Sequence, residues 1–332
     1  MAVVGAAGLV GHKILEVLAE RGFPVGGLTL MATARSAGQT AEFQGRKVTI
    51  QEAQPELFDR VDLVFFAATG AASQNLAPEA VRRGAVVIDK SATFRMTEGV
   101  PLVVPEVNQE ALDGHRGIIA SPNCSTIQMV LVLAPLHRAR PLKRVVVSTY
   151  QAVSGTGREA VEELDAQTRD LLAGRPATAN VYPHQIAFNI LPHIDKFTPD
   201  GDTLEEIKMI QETRKIMSLP DLPITATTAR VPTRVGHAES VNVELAGPLA
   251  PEEARAILSA APGVTVVDDP SANLYPLPIE AAGRDDTLVG RIRRDQSVPH
   301  GLNLWVVSDN LRKGAATNAV QIAETLVARK LL

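Results

Sequence analysis

Cysteine is almost absent from this sequence: 332 residues contain one thiol, Cys124. A single cysteine cannot form an internal disulfide, which fits a reducing compartment and leads us to expect a cytoplasmic protein. Positive charge is not in surplus either. Lys and Arg number 33 against 37 Asp and Glu, a formal net charge of −4, which argues against a nucleic-acid partner. Long hydrophobic runs are missing: "MVLVLAPL" (129–136) falls far short of the roughly 20 apolar residues that cross a bilayer, so no membrane partner is expected. The chain opens directly into "MAVVG", without the basic, apolar and small-residue regions of a secretory signal. What remains is an ordinary globular profile, 45% hydrophobic and 21% charged, at a length that usually makes two domains.

The first third alternates short β-branched runs with helix-length segments. Strands are expected at 2–4, 28–33, 47–50, 61–67, 85–89 and 117–121, with helices near 9–20 and 71–83. That rhythm predicts an α/β domain on a Rossmann-like, doubly wound, mostly parallel sheet. After Cys124 the runs lengthen and alternate: "RVVVSTYQAV" (144–153), "SVNVELAG" (240–247), "TLVGRIRRD" (287–295) and "LNLWVVSD" (302–309). Helices near 156–172, 203–217 and 251–260 sit among them. This predicts a second α+β domain on a largely antiparallel sheet. The amphipathic helix 314–331 is expected to return to the first domain, which gives domains of 1–122 completed by 311–332, and 123–310. Residues 174–201 carry four prolines and read as a long functional or interface loop.

"VVGAAGLVGHKILEVLAERG" (3–22) is a strand, a glycine turn and a helix. Gly5 allows a tight turn, Gly8 lets backbone approach a pyrophosphate, and Gly11 permits close helix–strand packing. The helix N-terminus then offers N–H groups and a positive dipole end to phosphate. At the end of the second strand stand Arg35 and Ser36, with no carboxylate until Glu42. That favours a 2′-phosphate, and hence NADP, over the ribose hydroxyl of NAD.

In "SPNCSTIQ" (121–128), Asn123 is a good N-cap residue and the run after Cys124 reads as helix. A thiol at a helix N-terminus has its thiolate favoured, and the thiolate is the nucleophile; the plain alternative is a buried, inert cysteine. Seven histidines are available as acid/base partner. His237, in a polar turn between two strand-like runs with Arg230, Arg234 and Glu239 nearby, has the most site-like setting.

With these pieces in place, the chain resembles the aspartate-semialdehyde dehydrogenases of the bacterial branch over nearly its whole length. "SPNCSTIQ", "STYQAVSGTG", "FNILPHID", "ARVPTRVGHAESVNVE", "LVGRIRRD" and "WVVSDNLRKGAATNAVQIAE" follow that family's segments in order. The resemblance implies NADPH-dependent reduction of L-aspartyl-4-phosphate to L-aspartate-4-semialdehyde with release of inorganic phosphate, in the pathway to lysine, threonine and methionine. It implies Cys124 as the nucleophile forming a thioester, His237 as acid/base and Gln151 as an orienting group. Arg230 would bind the α-carboxylate and Glu205 the α-ammonium, with Arg95, Asn123 and Lys208 at the phosphate. Cofactor contacts would fall on Gly5, Ala7, Gly8, Leu9 and Val10, on Thr33, Arg35 and Ser36, and on Ser154, Gly155 and Asn310. No metal is implied, and a homodimer or homotetramer is. Ala7 departs from the family, which usually carries threonine there. The rival readings are an N-acetyl-γ-glutamyl-phosphate reductase, whose substrate has no free ammonium, and a nucleotide-binding regulatory protein without turnover.

Overall fold

The computed structural model describes residues 1–332. The chain divides into two compact units, Met1–Asn123 with Ala315–Leu332, and Cys124–Gly314.

The first unit is built from β1 (Ala2–Val4), α1 (Leu9–Glu20), β2 (Thr29–Ala32), β3 (Thr40–Phe43), β4 (Arg46–Glu52), β5 (Leu63–Phe66), α2 (Gly70–Arg82), β6 (Val86–Asp89), α3 (Pro105–Asn108) and β7 (Ile118–Ala120). The sheet order is β3-β4-β2-β1-β5-β6-β7. All neighbours pair in parallel except β3 and β4. The sequence does not announce β3: it joins β4 through Gln44 and Gly45, both at positive φ (48° and 74°), the backbone of a tight two-residue hairpin. β1 and β5 are buried along their whole length, because both faces of a doubly wound sheet are covered. On one face α1 and the closing helix Thr317–Ala328 bring Ile14, Leu18, Val320, Ile322 and Leu326 onto Leu30, Phe65 and Ile88. On the other, Ala77 and Ala80 of α2 meet Val64, Phe66 and Val87. The closing helix begins later than its pattern indicates, because residues Arg312–Ala316 form a π-helical turn.

The second unit runs α4 (Cys124–Ala139), β8 (Leu142–Gln151), α5 (Arg158–Leu172), α6 (Leu204–Ile216), β9 (Ile224–Arg230), β10 (His237–Leu245), α7 (Pro251–Ser259), β11 (Val264–Val266), α8 (Pro278–Ala281), β12 (Thr287–Asp295) and β13 (Gly301–Ser308). Its sheet order is β11-β12-β13-β10-β8-β9. The centre is antiparallel, and each edge strand pairs in parallel with its neighbour. The parallel β8–β9 pair needs a long crossover, and α5, residues 174–201 and α6 supply it. That loop is held by buried side chains of α5. The Glu163 carboxylate accepts from the N–H groups of Asn180 and Val181, both at 2.6 Å. Gln167 Oε1 accepts from those of Ile186 and Ala187 at 2.9 and 3.1 Å. α4 is buried nearly all round, from Ser125 to Ala134, as a helix in the middle of a core must be.

Candidate active site

Strand directions gather polar ends at one edge of the second unit. β8 ends at Gln151 and β9 at Arg230, which are register partners. β10 begins at His237, which faces Ser308 at the end of β13. α4 is separated from β8 by two residues, so it runs against β8 and along β10. Gln128 of α4 lies near Glu239 of β10, with its Nε2 and both Glu239 carboxyl oxygens buried and without a hydrogen-bond partner. One turn back from Gln128, about 5.4 Å, stands Cys124. Two strand residues back from Glu239, about 6.7 Å, stands His237. Gly314 packs against the start of α4: a Cβ there would lie 2.9 Å from that of Cys124.

His237 corrects one sequence expectation. It is not in a polar turn but is the first residue of β10, with no exposed surface, because β10 pairs on both sides from its first residues. Its Nδ1 accepts the Ala152 N–H at 3.0 Å, while Nε2 is buried without a partner. Arg230 donates from Nη1 to the Ala152 carbonyl at 2.8 Å and keeps its buried Nε unpartnered. Ala152 thus ties the imidazole by its N–H and the guanidinium by its carbonyl. Gln151 donates to Glu205 Oε1 at 3.1 Å and, more weakly, to Thr149 Oγ1 at 3.4 Å. Glu205 and Lys208 share a face of α6, with Nζ 3.5 Å from Glu205 Oε2, and Lys208 also pairs with Asp195. Asn310 accepts the Gly236 N–H at 3.0 Å and donates to Ser154 Oγ at 2.9 Å, joining the turns on either side of the row. The guanidinium thus stands beside the buried imidazole, while the carboxylate and ammonium of α6 join the row through Gln151.

Gly155 lies over that imidazole. A Cβ on it would sit 2.9 Å from Arg230 Nη1 and 3.2 Å from His237 Cε1 and Nε2. Gly155→Ala is expected to lower kcat/KM by roughly 10²-fold, the cost of misplacing reacting groups by about an ångström. The unfolding midpoint should fall only modestly, because the atom met most closely is the far end of the Arg230 side chain. Wild-type turnover in that variant would remove this contact from the site.

Burial, with Arg230 as a lesser cause, holds the His237 pKa well below its ordinary value. Burial also pushes Glu239 well above the carboxylate range; the nearby Gln128 amide opposes this, and the nearby Glu205 charge adds to it. A folded chain with a raised carboxyl binds more protons than the unfolded one above about pH 4.5, so this group's contribution to stability falls as pH rises. Glu239→Gln should therefore melt increasingly above wild type between about pH 5 and pH 8. An offset in midpoint that does not change with pH would contradict a protonated Glu239.

Sequence reasoning named Glu239 only as a neighbour of His237 and gave it no role, though a strand with His237 facing inward also turns the residue two positions on inward. It also missed Tyr182, whose hydroxyl lies 2.8 Å from Thr156 Oγ1 and whose pKa is raised chiefly by burial and lowered by Arg230. Asp195, the partner of Lys208, sits in an irregular loop at φ 68°, and no sequence pattern points to it.

The remaining candidates belong to the first unit. Gly5 adopts φ 86°, and a Cβ on it would lie 2.3 Å from the Ala67 carbonyl oxygen. A Cβ on Gly11 would lie 2.3 Å from the Gly5 oxygen, so both positions require glycine. α1 begins after Gly8 with no side-chain cap and no acidic residue in its first turn, leaving Leu9 and Val10 to offer backbone N–H groups to an anion. Ala7, between the two glycines, is half-buried. Past β2, Thr33 opens a 3₁₀ turn holding Arg35 and Ser36, with Arg35 exposed. These residues fit a dinucleotide phosphate. Arg95 donates to the carbonyls of Ser121 (3.1 Å) and Lys90 (2.7 Å), close in sequence to Asn123, where the unit ends.

A nucleotide-type βαβ unit followed by a unit carrying a cysteine at a helix start and a buried histidine is the arrangement of a thiol-dependent dehydrogenase. The family model described as "Semialdehyde dehydrogenase, NAD binding domain" matches residues 1–115, and "Semialdehyde dehydrogenase, dimerisation domain" matches residues 133–313. The aspartate-semialdehyde dehydrogenase of Bacillus subtilis (strain 168) is 53% identical over 334 residues, covering 98% of this chain and 96% of that protein. The crystal structure of aspartate semialdehyde dehydrogenase II from Vibrio cholerae complexed with ASA is 46% identical, covers 98% of this chain and 97% of that one, and superposes with a TM-score of 0.96. Aspartate semialdehyde dehydrogenase with NADP from Candida albicans is 25% identical, covers 100% and 99%, and gives a TM-score of 0.77. The chain belongs to the aspartate-semialdehyde dehydrogenase family.

Proposed function

We infer that the chain converts L-aspartyl-4-phosphate reversibly to L-aspartate-4-semialdehyde and inorganic phosphate, with NADPH as reductant. The observation that carries this reading is the charge pattern along the row of Gln151, Arg230 and His237. An amino-acid substrate brings a carboxylate and an ammonium, and the row offers Arg230, with an unpartnered Nε, and Glu205, buried and held by Gln151. Cys124 at the start of α4 is the nucleophile, its thiolate favoured by the N–H groups of the first helical turn. Its attack on the acyl carbon expels phosphate and leaves a thioester. Lys208 takes up the phosphate, a role the family resemblance also gives to Arg95 and Asn123. When bound, the reduced nicotinamide supplies the hydride. Its phosphates would rest on the backbone from Gly5 to Val10, and Arg35 and Ser36 favour the 2′-phosphate of NADP over NAD. Ser154 and Gly155 border the nicotinamide, and Asn310 steadies that turn. The family's dimerisation domain supports a homo-oligomer. No helix is long and apolar enough to cross a membrane, and we place the enzyme in the cytoplasm on its single cysteine.

The test runs in reverse. NADP reduction is followed by nicotinamide absorbance with L-aspartate semialdehyde, with and without inorganic phosphate, beside N-acetylglutamate semialdehyde and beside NAD. Phosphate-dependent reduction with the aspartyl aldehyde is the expected result. Activity with the acetylated aldehyde alone would reject Glu205 as an ammonium reader, and equal rates with NAD would reject the role of Arg35.

A further inference from the structure

Asp89 closes β6 with no exposed surface, and no step of the reaction uses it. Its side chain nevertheless collects three donors. Oδ1 accepts from Ser73 Oγ of α2 at 2.8 Å and from the Ser91 N–H at 3.0 Å. Oδ2 accepts from Ser91 Oγ at 2.7 Å. A bond from an aspartate side chain to the N–H two residues on makes an Asx turn, which shapes the backbone without help from sheet or helix. Ser91 Oγ in turn accepts the Thr93 N–H at 3.2 Å. Thr93 Oγ1 donates to the Gly70 carbonyl at 3.1 Å, where α2 begins. The stretch from Asp89 to Thr93 is therefore hung on one buried carboxylate and on the first turn of α2.

What that stretch aims is Arg95. A guanidinium is planar, so two hydrogen bonds to fixed acceptors set its orientation. Arg95 Nε donates to the Ser121 carbonyl at 3.1 Å, and Nη2 donates to the Lys90 carbonyl at 2.7 Å. Both acceptors depend on residue 89. Lys90 lies inside the Asx turn, and the Ser121 N–H donates to the Asp89 carbonyl at 2.8 Å. Arg95 is itself buried, so a carbonyl that moves away is not freely replaced by water.

We propose that Asp89 is a positioning residue of the phosphate site: its carboxylate shapes the turn whose carbonyls aim the Arg95 guanidinium, and so sets the affinity for inorganic phosphate. The inference rests on the reading of Arg95 as a phosphate ligand and adds the residue that orients it. A planar fork meets a phosphate in two parallel bonds only when its plane is correctly turned. A fault in the turn therefore reaches the anion as lost affinity. The semialdehyde, read by Arg230 and Glu205 of the second unit, does not register it.

The test uses the full-length enzyme in the phosphate-dependent direction. Asp89→Asn keeps the size of the side chain but sets an amide NH₂ against a donor. It is expected to raise KM for inorganic phosphate about tenfold, the low end of what a lost hydrogen bond to a charged group costs. KM for the semialdehyde should stay within about twofold. Ser73→Ala removes one donor and leaves the turn's other bonds; its expected rise is about threefold, and it serves if the asparagine variant folds poorly. In an Arg95→Gln background, Asp89→Asn should change the phosphate KM by less than about twofold, because its route of action is gone. A further readout needs no turnover. Exchange of the Arg95 Nε proton with water, followed in nitrogen-15 arginine-labelled protein and assigned by its loss in Arg95→Gln, should quicken about tenfold in Asp89→Asn. Equal rises with and without Arg95, a parallel rise in the semialdehyde KM, or unchanged exchange would overturn the proposal. An Arg95→Gln enzyme with a wild-type phosphate KM would reject the reading of Arg95 and this proposal with it. A damaged Arg95→Gln enzyme beside an unaffected Asp89→Asn enzyme would reject the proposal alone.

Discussion

Cys124→Ser is expected to lose phosphate-dependent NADP reduction by at least about 10⁴-fold while folding as the wild type does. The substitution changes one atom of similar size at the first position of α4, where a Cβ on Gly314 would already touch, so nothing larger fits and nothing smaller is needed. What changes is acidity. The first turn of α4 favours a negative charge at its start, which assists a thiolate and is far from enough to hold an alkoxide. A serine there is a hydroxyl, a weak nucleophile at its free pKa that the dipole alone does not activate. Steady-state rates with semialdehyde and phosphate, alongside a thermal melt, check the result. A serine enzyme within tenfold of wild type would rule out covalent catalysis at this position.

Arg230→Lys is expected to raise KM for the semialdehyde by roughly 10- to 150-fold with a smaller fall in kcat, the loss of one charge-assisted hydrogen bond of about 1.5–3 kcal/mol. The geometry explains why retained charge does not rescue it. Nη1 is already committed to the Ala152 carbonyl, and the fork must spread its remaining N–H groups to meet a carboxylate in two parallel bonds. An ammonium can hold the carbonyl or the substrate but cannot reproduce the plane that does both. The lysine enzyme should also be less selective against aldehydes that lack the α-carboxylate. Unchanged KM would mean that the substrate carboxylate is read elsewhere.

The parts that sequence discloses and the parts it hides differ for physical reasons. The turn from Gly5 to Gly11 is legible because only glycine tolerates its backbone and its contacts, so the requirement is written in the residues. The parallel strands of the first unit are legible because burial on both faces makes them plain apolar runs. β9, "ITATTAR", is harder: its threonines alternate with alanine, the apolar signal is thin, and it is a strand because it lies in register with β8 from Val145 to Gln151. β10 extends three residues beyond its apolar run because two neighbours pair with it, and that extension is what buries His237. The row of Gln151, Arg230 and His237 depends on register between strands distant in sequence, which no local pattern encodes. Their proximity is a property of the sheet.

One further consequence concerns the order in which the chain is made. The first unit holds residues from both ends of the sequence, and Ala319, Val320, Ile322, Ala323 and Leu326 of the closing helix are wholly buried in its core. During synthesis, everything up to Asn123 therefore emerges with one face of its sheet covered by α1 alone. It waits while the whole of Cys124–Gly314 is added, a delay on the order of ten to forty seconds at common translation rates. The later-made unit owes none of its own strands to the chain ends and can close first. Loss of the last dozen residues would leave the catalytic row intact and the nucleotide sheet unsealed. A nascent or clipped chain of this kind exposes apolar β-strands, the surface that chaperones and proteases recognise.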